Sequence, residues 1–92
     1  MEILEEVASD LKIGREILAR DSLKVFLSKE LSDDEAEMFK IATRHGIKSV
    51  LEFDELLRRG KVKEEDIIDD FMEFDSLEAR RDTLLKVIEK LR

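Results

Sequence analysis

Residues 32–46 read Ser-Asp-Asp-Glu-Ala-Glu-Met-Phe-Lys-Ile-Ala-Thr-Arg-His-Gly, and they carry both a start and a stop signal for a helix. Ser32 and Glu35 have the S-x-x-E spacing of a capping box. Asp33, Asp34 and Glu35 put negative charge where the helix dipole is positive. Met38, Phe39, Ile41 and Ala42 supply an apolar side, and Gly46 follows Arg44 and His45 as a C-terminal stop. Two readings of this stretch lead to different folds. A helix starting at Ser32 cuts the first half of the chain into shorter elements, and the strength of the box favours that break. The competitor is one helix running straight through Ser32, since neither Gly nor Pro interrupts the chain there.

Upstream, residues 2–20 place Leu4, Val7, Leu11, Gly14 and Leu18 at the 3–4 spacing of one helical stripe. Gly14 stands where that stripe expects a side chain. It weakens a helix by roughly 1 kcal/mol relative to Ala but permits close approach of another helix. Asp21-Ser22 either caps a new helix or lies on a polar face, and Leu23, Phe26, Leu27 and Leu31 continue the stripe. Downstream, Ser49-Val50-Leu51-Glu52 is a second capping box. It opens a short helix bearing Phe53, Leu56 and Leu57 that stops at Gly60 behind Arg58-Arg59. After a connector at residues 61–63, a helix from Glu64 carries Ile67, Ile68, Phe71 and Phe74. Asp75-Ser76-Leu77-Glu78 is a further capping signal, and Leu77, Leu84, Leu85, Ile88 and Leu91 take the stripe to the end.

Composition agrees with helices alone. The chain of 92 residues has no Pro, Trp or Tyr and only three Gly, while 45% of it is charged. Residues that favour helices dominate, and runs of β-branched or aromatic residues are missing. The expected fold is all-α: a small bundle of four to five helices with short connections, forming a single domain over residues 1–92. The first and last helices look longer than such a monomer needs, which suggests a homodimer or a hetero-complex. Cys, Asn and Gln are all absent. Together with dense Glu, Lys and Arg, this is the bias of proteins from hot environments. No apolar run approaches the ~20 residues of a transmembrane helix, and no signal-peptide pattern opens the chain. A soluble cytoplasmic protein is the expectation.

Most chemistry is excluded by what is missing. Without Cys there is no thiol nucleophile, disulfide or Cys-bound zinc, and a single His rules out zinc sites built from several. No segment fits a calcium-binding EF-hand loop, and three isolated Gly build no phosphate-binding loop. His45 fits interaction with a helix dipole better than catalysis. No cofactor is expected. Asp69-Asp70-Phe71-Met72-Glu73 superficially matches DDxxE patterns that hold Mg²⁺. Glu2-Glu5 and Glu30-Asp33 have the i, i+3 spacing used by small helical nucleotide pyrophosphohydrolases. Acids make up about a quarter of the chain, so such pairs arise without function, and a Mg²⁺-dependent phosphohydrolase remains a minor alternative. Direct nucleic-acid binding is disfavoured by the net charge of −7. The basic groups at Arg58, Arg59, Lys61 and Lys63 and at Arg80-Arg81 lack interleaved aromatics.

Residues 64–78 hold eight acids, no base and six large apolar side chains. Such a helix suits a basic cleft on another protein, with carboxylates steering and apolar residues anchoring. The expected partner-binding residues are Asp66, Asp69, Asp70, Phe71, Met72, Glu73 and Phe74, with Gly14 as a close helix contact. A self-associating helical domain is the alternative, and a broad core-facing stripe would explain the apolar residues equally well.

The second half also resembles small archaeal antitoxin-like proteins encoded beside toxin genes. The likeness lies in Gly46-Ile47-Lys48-Ser49-Val50, Glu52-Phe53-Asp54-Glu55-Leu56, Gly60-Lys61-Val62 and Glu64-Glu65-Asp66, then in Asp69-Asp70-Phe71 and Asp75-Ser76-Leu77-Glu78. It covers roughly half the chain. The resemblance implies a partner that is an RNase or nucleotidyl-transfer toxin, held inactive by a non-enzymatic acidic protein. In that picture Asp66, Asp69, Asp70 and Glu73 face basic groups of the toxin, and Phe71, Met72 and Phe74 are the buried anchors. No operator-binding module accompanies it.

Overall fold

Two helices longer than any the capping signals suggested set the architecture. The computed structural model describes residues 2–60 and 64–92, the side chains of residues 64–66 excepted. Its elements are α1 (Ile3–Leu11), α2 (Arg15–His45), α3 (Val50–Arg58) and α4 (Glu64–Glu89), with no strand among the described residues. The connector expected at residues 61–63 lies outside them.

The breaks fall where backbone geometry demands them. The helix expected over residues 2–20 is interrupted after Leu11, where Lys12 adopts a left-handed conformation (φ 57°). The Ile13 N–H then reaches back to the Ala8 carbonyl at 3.0 Å, satisfying a terminal acceptor. Gly14 is the extended N-cap of α2, so it belongs to no helical stripe. The break expected at Ser32 does not occur: α2 continues for 31 residues through Asp21-Ser22 and Ser32–Glu35. Side chains explain why. Asp33 pairs with Lys29 one turn back at 3.1 Å, and Asp34 faces α4 instead of the backbone. A supporting helix alongside makes continuity cheaper than a cap. α4 likewise passes through Asp75–Glu78 without re-capping.

The cap at Ser49 is realised. Its hydroxyl accepts from the Glu52 N–H at 3.3 Å, and the Glu52 carboxylate accepts from the Lys48 N–H. Glu78 adds to it from α4, accepting from the Val50 N–H at 3.4 Å. Gly46 closes α2 at φ 65°, a conformation where a side chain would be strained.

α2 and α4 run antiparallel. Arg20 donates to the Leu91 carbonyl at 2.9 Å, Arg80 reaches Glu30 at 2.6 Å, and Arg44 reaches Asp70 at 2.6 Å, so the numbering of the two helices runs in opposite senses. α3 packs on α4 near the Gly46 end, while α1 packs on α2 at the opposite end. The expected bundle of four to five helices is therefore corrected: three helices, α2, α3 and α4, enclose the core. Met38, Ile41, Ile47, Phe53, Ile67 and Phe74 form it, with Phe53 fully buried. Beyond this core α2 and α4 continue as a pair, burying Leu27 and Leu84. The molecule measures 61 × 21 × 19 Å.

Candidate protein-interaction surface

The acidic helix expected to meet a partner is split by its own fold. Ile67 and Phe74 are buried, and Phe71 is half-buried against the same core. Phe53 organises them: its ring centroid lies 5.7 Å from Phe71 and 5.8 Å from Phe74, both near edge-on. That geometry suits aromatic quadrupoles and adds to the burial of apolar area. Phe71 and Phe74 are thus committed to the core instead of standing free as anchors.

Asp70 is committed as well. One carboxylate oxygen accepts from Arg44 at 2.6 Å and from His45 Nε2 at 2.8 Å. The His45 ring centroid lies 4.9 Å from that of Phe53, with the two rings tilted at 55°. The hydrogen bond from His45 holds the Asp70 carboxyl below the usual carboxylate range; Arg44 acts in the same direction, and partial burial opposes both. The arrangement joins α4 to the last turn of α2. His45 was expected to act on a helix dipole, with no placed acid; the structure supplies one. The His45 side chain is largely enclosed, with Nε2 on Asp70 and the ring beside Phe53. The only local hint was a basic pair ending α2 and an acidic pair near the start of α4, which an antiparallel register brings together.

Asp69, Met72 and Glu73 are exposed, and their i, i+3, i+4 spacing puts them on one outward stripe of α4. Met72 is 60% exposed amid these acids. The Asp66 side chain lies outside the described residues. Among the described residues only the Ile17 side chain comes within 4 Å of the position a Cβ at Gly14 would take, at 3.5 Å, so no close helix crossing is seen there.

Of the carboxylates considered for Mg²⁺, Asp70 is tied to Arg44 and His45, and the paired acids of the first half have basic partners. Arg15 holds Glu2 and Glu5 at 3.2 and 3.4 Å, Arg80 holds Glu30, and Lys29 holds Asp33. Among the described residues no three His, Asp or Glu side chains converge as a metal site would require. Nor is any described helix long and apolar enough to cross a membrane.

A second surface, which the sequence pattern had assigned to the interior, lies at the other end of the rod. Among the described residues Leu11 is 61% and Phe26 55% exposed. Leu4, Ala19, Ser22, Leu23 and Phe26 line an open groove between α1 and α2. The sequence pattern missed it because α1 ends at Leu11, too short to cover the helix that follows it.

No curated protein and no solved structure matches the chain. One family model does, over residues 1–92, and the chain belongs to that family, described as the uncharacterized protein MJ0235 family.

Proposed function

We propose that the chain is a non-enzymatic protein-interaction module whose outward α4 stripe, Asp69, Met72 and Glu73, docks on the basic surface of another protein. The observation that supports this is the division of α4. Its inward residues are engaged in the fold, whereas an exposed methionine remains outward between two carboxylates that have no basic partner among the described residues. An apolar side chain ringed by charge of one sign is the pattern of a steered anchor: the acids raise the encounter rate and the methionine supplies adaptable contact. The resemblance to antitoxin-like proteins makes the basic partner an RNA-cleaving or nucleotidyl-transfer toxin, inhibited by occupation of its cleft. The same reading takes the protein as cytoplasmic, in an archaeon of a hot environment, in line with its composition.

The test compares wild type with Asp69→Lys/Glu73→Lys as affinity baits in a lysate of the native host. Both substituted positions are solvent-facing, so helicity by circular dichroism should be unchanged. A basic protein held stoichiometrically by wild type and lost by the variant supports the proposal, most directly if its enzymatic activity falls when wild type is added. Equal retention of every captured protein by the two baits rejects it.

A further inference from the structure

We infer that the apolar face of the α1–α2 arm is covered in solution by a second copy of this chain. This rests on a surface separate from the α4 stripe and does not depend on the role proposed for it.

The area exposed is the first argument. A compact monomer of 10.8 kDa exposes about 5,500 Å², whereas this chain exposes 7017 Å². The excess of about 1,500 Å² per chain is the amount a homodimer interface removes, since such interfaces hide roughly 800 Å² or more per partner. Shape agrees. The radius of gyration is 19.1 Å, against about 12 Å for a compact domain of this length.

Much exposed apolar surface lies on the arm, although Phe39, Leu51 and Met72 are exposed toward the other end. Ile3, Val7 and Leu11 form an i, i+4, i+8 row on α1 that Ala8, turned toward α2, leaves outside. Leu23 and Phe26 continue α2 past the cover that α1 provides. Contiguous apolar surface of this kind is unusual on a protein that works as a free monomer.

Charge selects the occupant. Residues 2–24 carry six acids and four bases, and Arg15 already neutralises Glu2 and Glu5. This end is close to balanced, so it gives a strongly basic partner little to recognise. The acidic run of residues 64–78 begins at the far end of a 61 Å rod. Two chains of net charge −7 that meet arm to arm keep those runs well beyond the screening length of about 8–10 Å. A second copy fits the face without net repulsion, and a two-fold pairing closes it to further growth.

The experiment is sedimentation equilibrium of the full chain from 1 µM to 500 µM, for wild type, Leu23→Glu/Phe26→Glu and Phe39→Glu. Wild type should show the mass of two chains across most of the range. The arm variant should run as one chain, with a dimer dissociation constant raised roughly 100-fold or more and unchanged helicity, because both positions are exposed in the monomer. Phe39, 72% exposed on α2 away from the arm, is the control and should leave the dimer intact. The inference is overturned if wild type has single-chain mass at 500 µM, which would leave the face to another protein, or if the arm variant remains dimeric.

Discussion

Asp70 shows how one carboxylate can be withdrawn from a surface role by its fold. Its contacts with Arg44 and His45 close the end of α2 onto α4, and the His45 ring extends the aromatic group around Phe53. Charge-assisted bonds of this kind contribute more than neutral ones, so Asp70→Ala should cost about 1–2 kcal/mol at neutral pH, measured by denaturant unfolding. The pH dependence has a definite sign. The folded-state pKa of Asp70 lies below its unfolded value, so the folded protein binds the proton less readily. Its stabilisation is complete above the unfolded value near 4 and disappears as pH falls through the lower, folded value. The melting temperature of wild type should therefore drop more steeply below about pH 4 than that of Asp70→Asn, which has no proton to gain. Parallel acid profiles for the two proteins would show that the tie contributes nothing. The acidity and helical setting of Asp70 were legible in the sequence. Its partners were not, because they stand 25 and 26 residues away and meet it only through the register of two long helices.

At the scale of the element, Ser32 and Ser49 present the same four-residue signal with opposite results. Ser49 follows Gly46, whose left-handed backbone has already ended α2, so the N–H groups of a new helix need an acceptor and the hydroxyl supplies one. At Ser32 no backbone event ends the preceding helix, and the N–H groups there already have carbonyl partners one turn back. The motif states that a helix can start; only the residues before it state that one has stopped. Hence α3 was readable from sequence, whereas the joins at residues 32–35 and 75–78 were mistaken for boundaries. The break after Leu11 was missed for the converse reason: Lys12 takes the left-handed position that composition assigns to Gly. Ser49→Ala should cost about 1 kcal/mol. Ser32→Ala should be neutral or slightly stabilising, because Ala is the better interior residue. Thermal unfolding of the two variants side by side checks this, and an equal loss at both positions would mean that α2 is capped at Ser32 after all.

The whole molecule takes its shape from the continuity of α2. A break at Ser32 would let the first half fold back and make a compact bundle with its apolar side chains inside. An unbroken helix instead separates α1 from α3 and leaves the arm apolar and open, so a single mistaken boundary changes a globule into a rod with a second surface. All-α class, helix-forming composition and the position of the Phe53 core follow from local pattern. The length does not, because it depends on how two helices support each other. The absence of cysteine allows a direct measurement. Cysteines introduced at exposed Glu16 and Lys40, spin-labelled and diluted into an excess of unlabelled chain, report a distance within one molecule whatever its oligomeric state. Both positions lie in α2, 24 residues apart, so a continuous helix places their backbones about 36 Å from each other at 1.5 Å per residue. A hairpin at Ser32 would bring helix halves side by side at an interaxial distance of about 8–10 Å and the labels correspondingly close. A single narrow distribution near the longer value supports the rod, and a short one would return the apolar arm to the interior and remove the surface on which a second copy is inferred to dock.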